Sequence, residues 1–242
     1  MSFQTITFAA LGGLLPALLW LWFWRREDRR HPEPRPLIAL AFLAGIIAVP
    51  LVLPLEKYVA KFVLGGSEIE TIAGINLMLA LTGIILWSLI EEILKFLAAY
   101  LTVLRRKEVD EPIDLVIYMI TVALGFAAAE NALFLLNPLS AGDTFTSLIT
   151  GNLRFVGATL LHVTSSAVIG AFMAFAFYKN KRRQRAYTLF GVILSVALHA
   201  VFNFSIIMSK GPRIFFTFAT VWLLVVAIMF VFEKIKRIHP VN

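Results

Sequence analysis

The chain has no cysteine. That excludes disulfides and thiolate-bound metals, leaving histidine and carboxylate as the side chains able to ligate one. Charge is scarce too, since Asp, Glu, Lys and Arg make up 15% of the 242 residues against about 25% in an ordinary soluble domain. Asp28, Asp110, Asp114 and Asp143 all lie between apolar runs or at their ends, so intramembrane aspartyl chemistry has no deep aspartate to use. G-x-S-x-G and H-E-x-x-H are both absent. Any metal site must therefore collect its ligands from separate segments. There is no internal repeat or low-complexity tract, and the longest linkers, 25–36 and 56–71, are too short to fold alone.

Apolar length is abundant. Hydrophobic residues make up 60% of the chain and mean hydropathy is +0.84. Runs able to cross a bilayer as helices, which takes about 20 residues each, fall at roughly 4–24, 37–55, 72–104, 114–136, 150–178, 186–208 and 213–233. The third is long enough that it must tilt, kink or project beyond the lipid. The first has no positive charge before it and RREDRR directly after it, so it reads as a retained span rather than a signal peptide. These runs predict an all-α, polytopic membrane bundle of about seven transmembrane helices, forming one domain over 1–242.

Basic residues orient it. Sixteen of the 22 lysines and arginines sit at one set of span ends, within 25–35, 105–107, 179–185 and 234–237; only Lys57, Lys61, Lys210 and Arg213 sit at the other. The positive-inside rule then puts the amino terminus outside and the carboxyl terminus in the cytoplasm, as expected of a multi-pass cell-membrane protein. The excess of 22 basic over 15 acidic residues suits an anionic lipid bilayer, and no aromatic-interleaved basic groove suggests nucleic acid. The segment EKYVAKFVLGGSEIE, 56–70, is expected along the outer interface.

Against this background WSLIEEILKFLAAY, 87–100, is exceptional, because it places Glu91, Glu92 and Lys95 inside an apolar run. Glu130, His162 and His199 are also deep. A charge at the bilayer centre costs about 2.5–3.5 kcal/mol on insertion scales, so such groups are candidates for function. Glu91, Glu130, His162 and His199 lie 13 to 16 residues from the cytoplasmic ends of their runs, or about 20–24 Å at 1.5 Å per residue, which allows one layer. Arg154 is expected to snorkel to the outer surface. Each deep group has a helix-face neighbour four residues away: Glu91 with Lys95, Phe126 with Glu130, His162 with Ser166, and His199 with Asn203. Asn131 stands beside Glu130. With all three glutamates ionised, Lys95 leaves two negative charges uncancelled, which a divalent cation or two protons would balance. The residues alone therefore leave a metal site and a proton relay both open. Taken singly, the same residues also have structural readings as interhelical hydrogen bonds, packing or a buried ion pair.

Four motifs in order, EEILK (Glu91, Glu92, Lys95), FAAAEN (Phe126, Glu130, Asn131), HVTSS (His162, Ser166) and HAVFN (His199, Asn203), resemble those of the PrsW intramembrane metalloproteases. These are relatives of the CAAX-prenyl proteases and bacteriocin-immunity proteins. The relatives carry E-E-x-x-x-R and F-x-x-x-H; here Lys95 comes one position earlier and Glu130 replaces the histidine, as in the PrsW branch. The resemblance, with a motif-bearing core at about 72–208, implies a zinc-dependent endopeptidase of a prokaryotic membrane that cuts single-span membrane proteins such as anti-sigma factors. It implies Glu130, His162 and His199 as Zn2+ ligands and Glu91 as general base. Glu92 would be a supporting carboxylate or alternative ligand, Asn203 an oxyanion donor, and Ser166 a support for His162. Lys95 would balance the acids, with Phe126 and Asn131 supporting. A transporter using the same Glu/His layer as a proton or ion relay is the alternative, and a non-catalytic membrane binding protein a third reading.

Overall fold

The computed structural model describes residues 2–26, 32–67, 69, 71, 74, 76–209 and 213–239. Among them are α1 (Phe3–Trp24), α2 (Arg35–Phe62), α3 (Leu77–Thr102), α4 (Pro112–Ser140), α5 (Thr144–Leu153), a π-turn (Arg154–Ala158), α6 (Thr159–Phe175), α7 (Lys181–Met208) and α8 (Arg213–Ile235). Seven helices are long and apolar enough to cross a membrane when α5, the π-turn and α6 count as one. The described residues contain no strand. The expected all-α polytopic architecture is thus present.

Helix starts follow capping chemistry. Asn76 Oδ1 accepts from the Leu79 N–H at 3.1 Å, and Asn180 Oδ1 from the Arg183 N–H at 3.0 Å. Asp143 caps α5 after Gly142 turns the chain at a φ of 73°. Its carboxylate takes the Thr146 hydroxyl and N–H, which hold it below the usual aspartate range. Asp114 closes the start of α4 by accepting from the backbone N–H groups of Glu111 and Asp110, and the Tyr118 hydroxyl donates to buried Glu33.

Several sequence boundaries move, among them the starts of the fifth and sixth spans, at Thr144 and Lys181 rather than 150 and 186. The third span begins at Leu77 rather than 72, and α2 runs on to Phe62, past the expected end at 55. Pro50 and Pro54 lie inside α2, and the Glu-Lys pair after them imitates a helix end. Prolines are tolerated in membrane helices when neighbours take up the freed carbonyls. The expected interface segment thus contributes 56–62 to α2, while its Glu68 and Glu70 lie outside the described residues. So do Asp28 and, of the loop-charge pattern, Arg29, Arg30 and Lys210.

Helix α4 is the hub, with Pro112–Ala128 buried without interruption and α1, α2 and α6 packed around it. A helix apolar on every face belongs inside other helices. Close approach needs small residues. A Cβ on Gly125 of α4 would overlap the Phe42 carbonyl of α2, and one on Gly45 of α2 would overlap the Val122 carbonyl. Without a hydrophobic drive between helices in lipid, such contacts hold the bundle together. Gly125→Leu is therefore expected to cost about 1–3 kcal/mol, read as a lower unfolding midpoint in detergent. An unchanged midpoint would show that α2 and α4 do not depend on this contact.

Candidate active site

Helix α3 buries a single stripe: Ala80, Gly83, Ile84, Ser88, Glu91, Glu92, Lys95 and Ala99. The charges of WSLIEEILKFLAAY lie on that stripe, facing α6 and α7. Glu92 and Lys95 are fully buried and Glu91 nearly so. On α7 a matching row, Gly191, Ser195 and His199, faces inward at i, i+4 spacing.

Glu92 is the most heavily bonded of these groups. Its carboxylate receives Lys95 Nζ at 2.5 Å, His199 Nδ1 at 2.8 Å, Ser165 and Ser195 Oγ at 2.9 Å, and Ser166 Oγ at 3.1 Å. Ser166 thus braces Glu92 rather than His162, the role expected from its sequence position. The hydroxyls of α6 turn toward α3, where they supply donors to the buried Glu92 carboxylate.

Glu130 does the same for the other histidine. It accepts from His162 Nε2 at 2.9 Å and from Arg154 Nη2 at 2.5 Å. Arg154 Nε also donates to Asn131 Oδ1 at 2.6 Å, and Asn131 Nδ2 to Thr159 Oγ1 at 2.9 Å. Arg154 therefore turns inward instead of snorkelling, since a partly buried carboxylate competes better for it than the surface does. Phe126 packs edge-on to His162 at 5.3 Å between centroids, with Lys95 Nζ 4.7 Å above its face.

These bonds set the imidazoles. Lysine only donates, so Lys95 Nζ at 3.0 Å makes His162 Nδ1 an acceptor, and the neutral ring carries its proton on Nε2 toward Glu130. His199 gives its Nδ1 proton to Glu92, freeing Nε2. The unprotonated nitrogens of both rings face one atom: Glu91 Oε2 is 3.7 Å from His162 Nδ1 and 3.8 Å from His199 Nε2, with Lys95 Nζ 3.6 Å away. That oxygen is buried and has no hydrogen-bond partner among the described residues. Ligands about 2.0–2.2 Å from a tetrahedral ion stand roughly 3.3–3.6 Å apart, close to these separations. Ligand atoms from Glu91, His162 and His199 all lie within 4.8 Å of one another, so the donor set fits a divalent ion. Glu130, expected in that set, instead faces the far nitrogen of His162.

Asn203, one turn beyond His199, is half-buried and makes no side-chain hydrogen bond among the described residues. Sequence reasoning missed Glu56, whose half-buried side chain lies near enough to Glu91 to interact with it. It also missed Ser195, although its i, i+4 spacing to His199 was a visible signal. With every glutamate ionised, Arg154 and Glu56 add one charge of each sign and leave the excess of two negative charges unchanged.

A polytopic helical bundle enclosing carboxylates, two oriented imidazoles and an orphaned buried oxygen defines a membrane-embedded enzyme centre. Comparison with known proteins agrees: the profile described as "PrsW family intramembrane metalloprotease" matches residues 33–232, and the chain belongs to that family. The match extends the four-motif core to α2 and α8. Among curated relatives, "Protease PrsW" of Clostridioides difficile is 27% identical over 194 residues, covering 79% of this chain and 76% of that one. Its Geobacillus kaustophilus namesake is 28% identical over 194 residues with the same coverage, and the Bacillus subtilis protein is 26% identical over 197 residues, covering 79% of each chain. No solved structure matches significantly. The chain is a multi-pass membrane peptidase of a prokaryote.

Proposed function

We propose a zinc-dependent intramembrane endopeptidase in which Glu91, His162 and His199 hold the metal. The supporting observation is the orphaned Glu91 Oε2 between two imidazole lone pairs. Two histidines and one glutamate leave a fourth position open, a common set at catalytic zinc. When bound, zinc would polarise the scissile carbonyl and acidify water. Two protein–histidine bonds prepare the ligands: Glu92 orients His199 and Glu130 orients His162, which fixes each tautomer and raises ligand basicity. Lys95 competes with an ion for His162 Nδ1, and its bond to Glu92 gives the ammonium a place to stay when the ion takes that lone pair.

Glu56, beside Glu91 and partly open, is the carboxylate positioned to take the proton of attacking water and return it to the leaving amine. Asn203, with its amide uncommitted, is the donor positioned for the developing oxyanion. The substrate class is a single-span membrane protein such as an anti-sigma factor, entering a site that lies within the spans. The loop charges support an amino terminus outside and a cytoplasmic carboxyl terminus.

Chelator treatment of purified protein is expected to abolish cleavage of a co-reconstituted single-span substrate, with zinc restoring it. His162→Ala and His199→Ala should neither retain stoichiometric metal nor cleave. Cleavage surviving both substitutions would end the proposal.

A further inference from the structure

Arg154 belongs to none of the four motifs, yet its guanidinium joins Glu130 and Asn131 of α4 at 2.5 and 2.6 Å. It also lies 3.9 Å above the Phe134 ring. The backbone explains how it gets there. Arg154 and His162 are eight residues apart and would stand about 80° apart around an unbroken α-helix. The π-turn at Arg154–Ala158 takes up about one extra residue and turns Arg154 back onto the His162 face. A π-turn carries weaker backbone geometry, and here it brings a cation to the one carboxylate that touches His162 Nε2 among the described residues.

We infer that Arg154 is a positioning residue: it anchors the Glu130 carboxylate, which in turn holds the Nε2 proton of His162 and keeps Nδ1, turned toward Lys95 and Glu91, unprotonated. Two contacts show that the anchor is built for this. Asn131 takes Arg154 Nε and is itself fixed by Thr159 just past the π-turn, so the guanidinium is gripped at two points from one helix. Glu130 is the more open end of the chain, its side chain 22% exposed against 3% for His162. Without Arg154, that carboxylate would swing toward water and only Lys95, at Nδ1, would be left to set the His162 tautomer. The inference depends on the proposed metal site only for its effect on affinity; the step from Arg154 to His162 does not.

The test uses full-length protein in detergent or nanodiscs, labelled with 15N-histidine, with the His162 signal identified by its loss in His162→Gln. In metal-free wild type that signal should report an Nε2–H tautomer. Arg154→Ala should mix or shift the tautomer and weaken zinc affinity about 10- to 100-fold; Arg154→Lys should recover part of both, because lysine keeps the charge but not the two-point fork. A merely structural role would lower the unfolding midpoint without moving the His162 signal, and that result, like an unchanged signal with unchanged affinity, would overturn the inference. If Arg154→Ala gives no folded protein, Arg154→Lys decides: an intermediate signal supports the inference and a wild-type signal overturns it. If wild type binds no zinc, the metal site fails, and the His162 signal still decides on Arg154.

Discussion

Glu91→Gln is expected to lose both bound metal and proteolysis. The substitution keeps the shape of the side chain but removes the charge and replaces one carboxylate oxygen by a donor. The buried Oε2 would no longer offer an anionic ligand to the space shared with His162 Nδ1 and His199 Nε2. Loss of supporting partners alone weakens metal sites about 10- to 100-fold, and loss of a ligand should exceed that. Cleavage should fall on the order of 10⁴-fold or more, as when one member of a catalytic unit is removed. Metal content by elemental analysis, beside cleavage of a single-span substrate, separates two roles. Metal retained with cleavage lost would make Glu91 the general base, the role its motif suggested; metal and cleavage both retained would remove it from the site.

Glu92→Ala should act on the fold first. Five donors converge on that carboxylate, among them Lys95, which is 0% exposed. Removing one member of a buried ion pair costs about 3–5 kcal/mol because the remaining charge stays buried, and the stranded hydroxyls add to this. That is a large share of a membrane domain's margin, so little monodisperse protein should be recovered. The double variant Glu92→Gln, Lys95→Met removes both charges and should regain much of the midpoint without regaining cleavage, since His199 would still lack its carboxylate. Full stability and cleavage in Glu92→Ala would show that the five bonds contribute little.

Much of this was legible in one dimension. Span count follows from apolar length, because lipid offers the backbone no partners and only helices of about 20 residues satisfy themselves. The shared depth of Glu91, Glu130, His162 and His199 was equally legible, since rise per residue converts position into height. Their convergence in the structure follows from that layer. Glu56 was not legible, because two prolines before it read as a helix end when surrounding helices in fact sustain the helix. Arg154 was misjudged for a related reason: the π-turn that redirects it has no mark in the residue pattern.

Apolar run length and the depth of the charged residues are enough to specify a membrane-spanning helical bundle with one ionisable layer, and the motifs point to a peptidase family. Which partner each group in that layer has depends on how the helices pack. Rotation about each helix axis and the approach of neighbouring helices, not height alone, decide which oxygen faces which nitrogen. Glu92 and Glu130 therefore proved to hold the histidines, while Glu91 Oε2, which makes no hydrogen bond among the described residues, was left facing the unprotonated nitrogens of both.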